Sequence, residues 1–183
     1  MNAEKIDLDN PENNIKQIIE ELMIEYGSEL TFLAYSYVKN AEEAKDIVQN
    51  VFVAAFQHLS GFRGDSSIKT WLYRVTINKC KDHLKSSFFK RVLLFGSAPE
   101  TNKKEAPIDE NYLDKEASNT IKEAVFTLKL KHREVILMRY YQDLSIKEIS
   151  LILNLPEPTV HTRLRRAKGQ LAPILEKEVL TYE

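Results

Sequence analysis

Leu144–Leu171 reads LSIKEISLILNLPEPTVHTRLRRAKGQL, and this stretch decides how the rest of the chain is understood. A short helix with Ile146, Ile149 and Ile152 or Leu153 turned inward runs to Asn154, which tolerates the left-handed turn usually given to glycine. Leu155 then plugs the turn. Pro156 and Pro158 lack amide protons and suit a helix start, so a second helix is expected close to Pro158 and Thr159. Val160, Leu164, Ala167 and Leu171 form its apolar stripe. His161, Thr162, Arg163, Arg165, Arg166 and Lys168 form its exposed face, with no acid among them. Two helices joined by a tight turn, the second cationic and rich in hydrogen-bonding side chains near its start, make a helix-turn-helix. Arginines there can reach base edges while others clamp phosphates. The alternative, a plain helical hairpin with a basic soluble face, leaves the missing acids unexplained. The motif points to DNA without saying which kind of site is read.

The whole-chain charge argues the other way until it is resolved along the sequence. The 183 residues carry 26 Lys and Arg against 27 Asp and Glu, a formal net charge of −1. Residues 1–57 hold 4 basic and 11 acidic side chains, whereas residues 63–91 hold 8 basic and 2 acidic ones. The chain is acidic again over 92–128, with 4 against 7, and basic over 129–168, with 9 against 4. Two separated basic blocks suggest two contacts with a polyanion. No apolar run approaches the roughly 20 residues needed to cross a bilayer. The acidic start, MNAEKIDLDNPENN, has no basic region followed by an apolar one, so no secretory signal is expected. A lone Cys80 excludes an internal disulfide and a Cys-based zinc site, and a reducing cytoplasm is the expected location.

No sustained period-two alternation is present, so the fold class is all-α: two small helical domains joined by a flexible linker. In AEEAKDIVQNVFVAAFQHL (41–59), Ala44, Ile47, Val48, Val51, Phe52, Ala55, Phe56 and Leu59 follow the helical pattern, leaving Asp46, Gln49, Asn50 and Gln57 outside. Upstream, Ile15, Ile18, Ile19 and Leu22 make one stripe and Leu30, Leu33, Ala34, Tyr37 and Val38 another, with Gly27 as a break between them. Gly61 and Gly64 bracket the turn-rich FRGDSS, and a long helix is expected from about Ser67 to Ser87. This gives a four-helix N-terminal domain over 1–87. Residues 88–113 read as a linker whose first part, Phe88 to Phe95, is apolar enough for a helix extension. A C-terminal domain over 114–183 would hold helices at about 115–128, 131–142, 145–153 and 158–177.

The helix after FRGDSS has its own polar stripe: Arg74, Asn78, Lys81 and Lys85 at i, i+4, i+7 and i+11. Cations at that spacing can track a phosphate backbone, and an Asn among them can read an exposed base edge. Beside a turn-rich loop, this surface suits single-stranded nucleic acid better than a duplex groove, because unstacked bases need donors set among positive charge. Trp71 and Tyr73 read first as core.

The two constellations together resemble the extracytoplasmic-function group of bacterial sigma factors, from about Ile15 to Leu175. KDIVQNVFVAAFQHLSGFRGDSSIKTWLYRVTINKCKDHLK and LKLKHREVILMRYYQDLSIKEISLILNLPEPTVHTRLRRAK carry the likeness, and FRGDSSIKTWLYRVTIN is its most specific part. The resemblance implies a non-enzymatic factor that binds core RNA polymerase and promoter DNA and directs promoter recognition, melting and initiation. It implies core contacts at Asp46, Gln49 and Asn50 toward the clamp helices of the β′ subunit, and a second contact with the flap of the β subunit. The minus-ten element would be held by Phe62, Arg63, Asp65, Ser66, Lys69, Trp71, Arg74, Asn78, Lys81 and Lys85, with Asn78 at a base-reading position. The minus-thirty-five element would be read by Thr159, His161, Thr162, Arg163, Arg165 and Arg166. The family further implies an anti-sigma factor, membrane-bound in some cases, and release in response to envelope or extracellular stress. No cofactor or metal is expected.

Three departures stand out. Asn50 occupies a position where the family usually has Glu, Pro158 replaces a frequent Gly before the recognition helix, and the Phe88–Phe95 patch is more apolar than a solvated connector needs. The rival reading is a dimeric helix-turn-helix regulator that reads two half-sites. An enzyme is remote: His58, His83, His132 and His161 are scattered without ligand spacing, and no Gly-rich phosphate loop exists.

Overall fold

The computed structural model describes residues 11–62, 64, 66–95 and 119–181, with side chains described for 14–62, 64, 66–88 and 121–176. Every regular element among them is helical, as the absence of strand periodicity requires.

Helix α1 (Pro11–Val38) is continuous through Gly27. The sequence pattern placed a break there and so counted four N-terminal helices; the structure has three. A glycine within a helix costs about 1 kcal/mol relative to alanine, too little to outweigh the apolar stripes on both sides. Ile19, Leu22, Leu30, Leu33, Ala34, Tyr37 and Val38 are all buried, and the Thr31 hydroxyl donates to the Gly27 carbonyl at 2.7 Å. The helix ends where Lys39 turns left-handed at φ 55°. Asn40 then caps α2 (Ala41–His58), its side-chain oxygen accepting from the Glu43 amide at 3.1 Å. Glu42 and Glu43 complement the positive end of the helix dipole. Ala44, Ile47, Val48, Val51, Phe52 and Ala55 are buried as the periodicity indicates, but Phe56 is exposed.

A short 3-10 turn (Leu59–Gly61) leads to the FRGDSS loop, where Gly64 supplies a φ of 74°. Ser67 then accepts from the Thr70 amide at 3.1 Å, starting α3 (Ile68–Phe95). Leu72, Tyr73, Ile77 and Cys80 are fully buried along it. The helix runs past Ser87 to Phe95, so the chain over Phe88–Phe95 is helical, continuing α3 as an extension. The remainder of the linker lies outside the described residues, as do residues 115–118.

The C-terminal unit contains α4 (Asn119–Thr127), α5 (Leu130–Ile136) with a wider π-helical turn at Leu137–Tyr141, α6 (Ile146–Leu153) and α7 (Glu157–Thr181). Val135, Met138, Leu144, Ile149, Val160 and Ala167 are almost completely buried at its centre. The two units touch. Helix α1 packs on α5 and α3 packs on α6, and Phe32 and Tyr35 of α1 meet Phe126 with ring centroids 6.1 and 5.6 Å apart. No helix among the described residues is long and apolar enough to cross a membrane.

Candidate nucleic-acid interface

The turn before α7 is held by local chemistry. Ser145 and Glu148 form a reciprocal capping box at the start of α6. Two hydrogen bonds from Ser145 hold the Glu148 carboxyl below its ordinary range. At the far end Asn154 adopts the left-handed conformation, φ 53° and ψ 52°, as its side chain permits. The Leu155 amide closes back on the Ser150 carbonyl at 3.0 Å, and the Ser150 hydroxyl donates to the Leu155 carbonyl at 2.5 Å. With that turn locked, Val160, Leu164, Ala167 and Leu171 face the core.

The exposed side of α7 presents His161, Arg165 and Arg166 to solvent. Thr159 and Thr162 are half-buried at its edge, and the Thr162 hydroxyl is spent on the Pro158 carbonyl at 2.9 Å. Arg163 turns inward. Its guanidinium donates to Glu134 Oε1 at 2.6 Å, a carboxylate only 5% exposed. Glu134 Oε2 in turn accepts from the Tyr37 hydroxyl of α1 at 2.5 Å. Burial, then the Glu134 charge, pushes the Tyr37 hydroxyl far above its ordinary value, so it stays a donor.

On α3, Arg74, Asn78, Lys81 and Lys85 are exposed together on one face. Trp71 is half-buried and packs its ring 5.7 Å from that of Phe62 beside the loop. Ser66 is half-buried, while Arg63 and Asp65 lie outside the described residues. Lys69 departs from the stripe. Its ammonium donates to the Gln142 carbonyl at 3.3 Å, sits 3.6 Å from the Glu29 carboxylate, and lies 5.8 Å from the centre of the Tyr73 ring. The Tyr73 hydroxyl reaches both Glu29, at 2.6 Å, and the Gln142 side chain. One proton serves Glu29; a Gln142 amide turned to donate satisfies the second contact.

A third surface lies on α2. Asp46, Gln49 and Asn50 are exposed, and the Asn50 amide donates to the Asp46 carbonyl at 2.9 Å. Val53 and Phe56, 55% and 46% exposed, continue this face. Periodicity assigned Phe56 to the core because it follows Phe52 at i+4; the helix in fact turns it to the border of the outer face. A fourth feature, invisible in the sequence, is an apolar cavity of about 560 Å³ lined by Phe32, Val125, Phe126, Tyr140, Leu171 and Leu175, with Lys122 and Lys168 at its wall. Glu134, Tyr37, Tyr73 and Gln142 were also missed, since their roles rest on partners 29 to 97 residues away. No cluster of three metal-ligating side chains occurs among the described residues.

Comparison with known proteins agrees with this geometry. Residues 22–87 match the family model for Sigma-70 region 2, and residues 118–171 match that for Sigma-70, region 4. The chain is 31% identical over 154 residues to the ECF RNA polymerase sigma factor SigW of Bacillus subtilis, covering 80% of this chain and 82% of that one. It is 31% identical over 163 residues to the ECF RNA polymerase sigma-E factor of Escherichia coli, covering 80% and 81%. In fold it resembles the sigma factor RpoE in its complex with the anti-sigma factor NepR from Bartonella quintana, with a TM-score of 0.71, 22% identity, and coverage of 88% of this chain and 98% of that one. CnrH, solved with the cytosolic domain of CnrY, gives a TM-score of 0.61 at 24% identity, covering 88% and 90%. With both regions matched in order, and a helix-turn-helix at the place where region 4 carries it, the chain belongs to the extracytoplasmic-function sigma factors, which direct transcription initiation.

Proposed function

We propose that this sigma factor engages core polymerase through the outer face of α2, holds the melted minus-ten strand on α3, and reads the minus-thirty-five element with α7. The observation that carries this reading is the pairing of two acid-poor faces, Arg74–Asn78–Lys81–Lys85 and His161–Arg165–Arg166, on separate helices of separate domains. Each base drawn from the stack costs a few kcal/mol, and cations with one amide among them can offset that cost. Arg163 and Lys69 take supporting roles, because both are committed to carboxylates or carbonyls of the protein.

The α2 face joins Asp46, Gln49 and Asn50 to exposed Val53 and Phe56. A mixed polar and apolar surface of this kind fits a protein helix better than DNA, and the clamp helices of the β′ subunit are its assigned partner. The apolar cavity, with Lys122 and Lys168 at its wall, is assigned to the flap of the β subunit. One of the fold relatives is a sigma factor in complex with an anti-sigma factor; for this chain an anti-sigma factor, and release under envelope or extracellular stress, are carried over from the family.

The test is run-off transcription from a linear promoter with purified core enzyme. Specific initiation that depends on this chain supports the reading, and the free chain should bind promoter duplex weakly in a salt-matched gel shift. No specific transcript from promoters selected with the chain, or tight sequence-specific duplex binding without core, would overturn it.

A further inference from the structure

The apolar cavity of about 560 Å³ has two unlike parts. Phe32 of α1, Val125 and Phe126 of α4 and Leu171 of α7 are buried and form its floor. Tyr140, Lys168 and Ala172 are exposed and form its rim, and Lys122 is half-buried. Lys122 and Lys168 are the only charged side chains among the residues that line it. Other lysines of the fold are matched with acids, as Lys45 is with Glu42 and Lys69 with Glu29. These two have no carboxylate partner among the described residues, and the Lys168 ammonium instead lies 5.2 Å from the centre of the Tyr140 ring.

The volume falls within the roughly 300–1,000 Å³ of small-molecule sites, which combine apolar walls with a few placed polar groups. Water is a poor occupant, because a buried water needs two or more polar partners and the four floor side chains offer none. A protein segment enters such a space only with its side chains, since its backbone amides must stay paired. An alkyl chain carries no amides and can reach the floor. Each methylene moved there from water tightens binding about fourfold. A lysine stem can lie along such a chain while its ammonium stays at the water edge, where a terminal anion would meet it. The occupant that satisfies floor and rim together is therefore an unbranched apolar chain ending in one negative charge.

We propose that this cavity is a fatty-acid site, with the alkyl chain against Phe32, Val125, Phe126 and Leu171 and the carboxylate held by Lys122 and Lys168. The cavity is the one assigned above to the flap of the β subunit, and for its consequence the inference rests on that reading. A seated fatty acid denies the flap its place, so at ten times its Kd it lowers flap-dependent binding about tenfold by mass action. The factor would thereby respond to free lipid carboxylate without a protein regulator.

The experiment is calorimetric titration of the full chain with laurate below its micellar range. Wild type should bind one laurate saturably, octanoate should bind about a hundredfold more weakly for its four missing methylenes, and dodecyltrimethylammonium, with the same chain and the opposite charge, should not bind. Lys122→Gln combined with Lys168→Gln should weaken laurate about tenfold or more. Ala172→Trp, made at an exposed rim position so that the floor is untouched, should abolish binding by filling the entrance. Circular dichroism melts verify that each variant is folded. Absence of saturable laurate binding, equal binding of the cationic amphiphile, or unchanged binding by folded Ala172→Trp overturns the site. Self-association that Ala172→Trp abolishes and laurate does not disperse would give the cavity to a second copy and overturn it as well. In competition for limiting core polymerase, laurate should weaken wild type but not the double lysine variant. The titration on free protein involves no polymerase, so the two readings fail separately: laurate that binds as described yet leaves core affinity unchanged sinks only the flap assignment.

Discussion

Arg163 donates to Glu134 at 2.6 Å, so the most inward of the three recognition-helix arginines is held by its own domain rather than turned to DNA. Arg163→Ala leaves a buried carboxylate without its cation. We expect a loss of about 2 kcal/mol in urea-denaturation stability, with DNA recognition falling only as far as the helix is displaced.

Arg165 is the contrasting case, exposed on the same helix. Arg165→Ala should leave stability within about 0.5 kcal/mol and weaken minus-thirty-five recognition by about 1–3 kcal/mol if the side chain meets a base. Holoenzyme binding to promoter variants at that element separates a base contact, which relaxes specificity at one position, from a phosphate contact, which weakens all sequences alike.

Asn78 sits amid Arg74, Lys81 and Lys85 on the exposed stripe of α3. Asn78→Ala should slow open-complex formation, measured by permanganate reactivity of unpaired thymines, while leaving core binding nearly unchanged. Equal melting by the variant would remove Asn78 from the minus-ten site.

Val53 and Phe56 extend the Asp46–Gln49 face with exposed apolar surface. Val53→Asp should therefore reduce affinity for core polymerase at least tenfold, a figure typical of a significant interface position, without lowering the melting temperature of the free protein. Competition with wild type for a limiting amount of core is the direct assay.

The capping box gives a pH signature. Ser145 lowers the Glu148 carboxyl in the folded state, so its stabilisation is complete above the ordinary glutamate range and is lost as pH falls through the depressed folded value. The melting-temperature difference between wild type and Glu148→Gln should accordingly shrink on acidification below about pH 4. Ser145→Ala should cost about 1 kcal/mol at neutral pH.

Local patterns carried most of this fold. The Leu144–Leu171 stretch encodes its own geometry, because Asn154, the Ser145 cap and the Val160–Leu171 stripe all act within a few residues of one another. Gly27 misled for the same reason: a local helix breaker was outweighed by tertiary burial on both sides of it. Phe56 misled because an apolar stripe drifts by a fraction of a turn across the five turns of α2. The exposed cations of α3 and α7 could be listed from periodicity, but Lys69 and Arg163 could not be sorted from them, since what withdraws them is a carbonyl 73 residues away and a carboxylate 29 residues away. The contact between domains had no sequence signal at all, being written in single residues of four different helices.

The π-helical turn at Leu137–Tyr141 holds one more residue than a regular turn would over the same rise. Everything after it is rotated by about 100° relative to an uninterrupted helix, which sends Tyr140 outward and Gln142 inward. Removing a single residue there would turn Gln142 away from Tyr73 and Lys69. Which side chains of the C-terminal unit meet α3 thus depends on helical phase, and one inserted residue, without any change of side-chain chemistry, is enough to choose them.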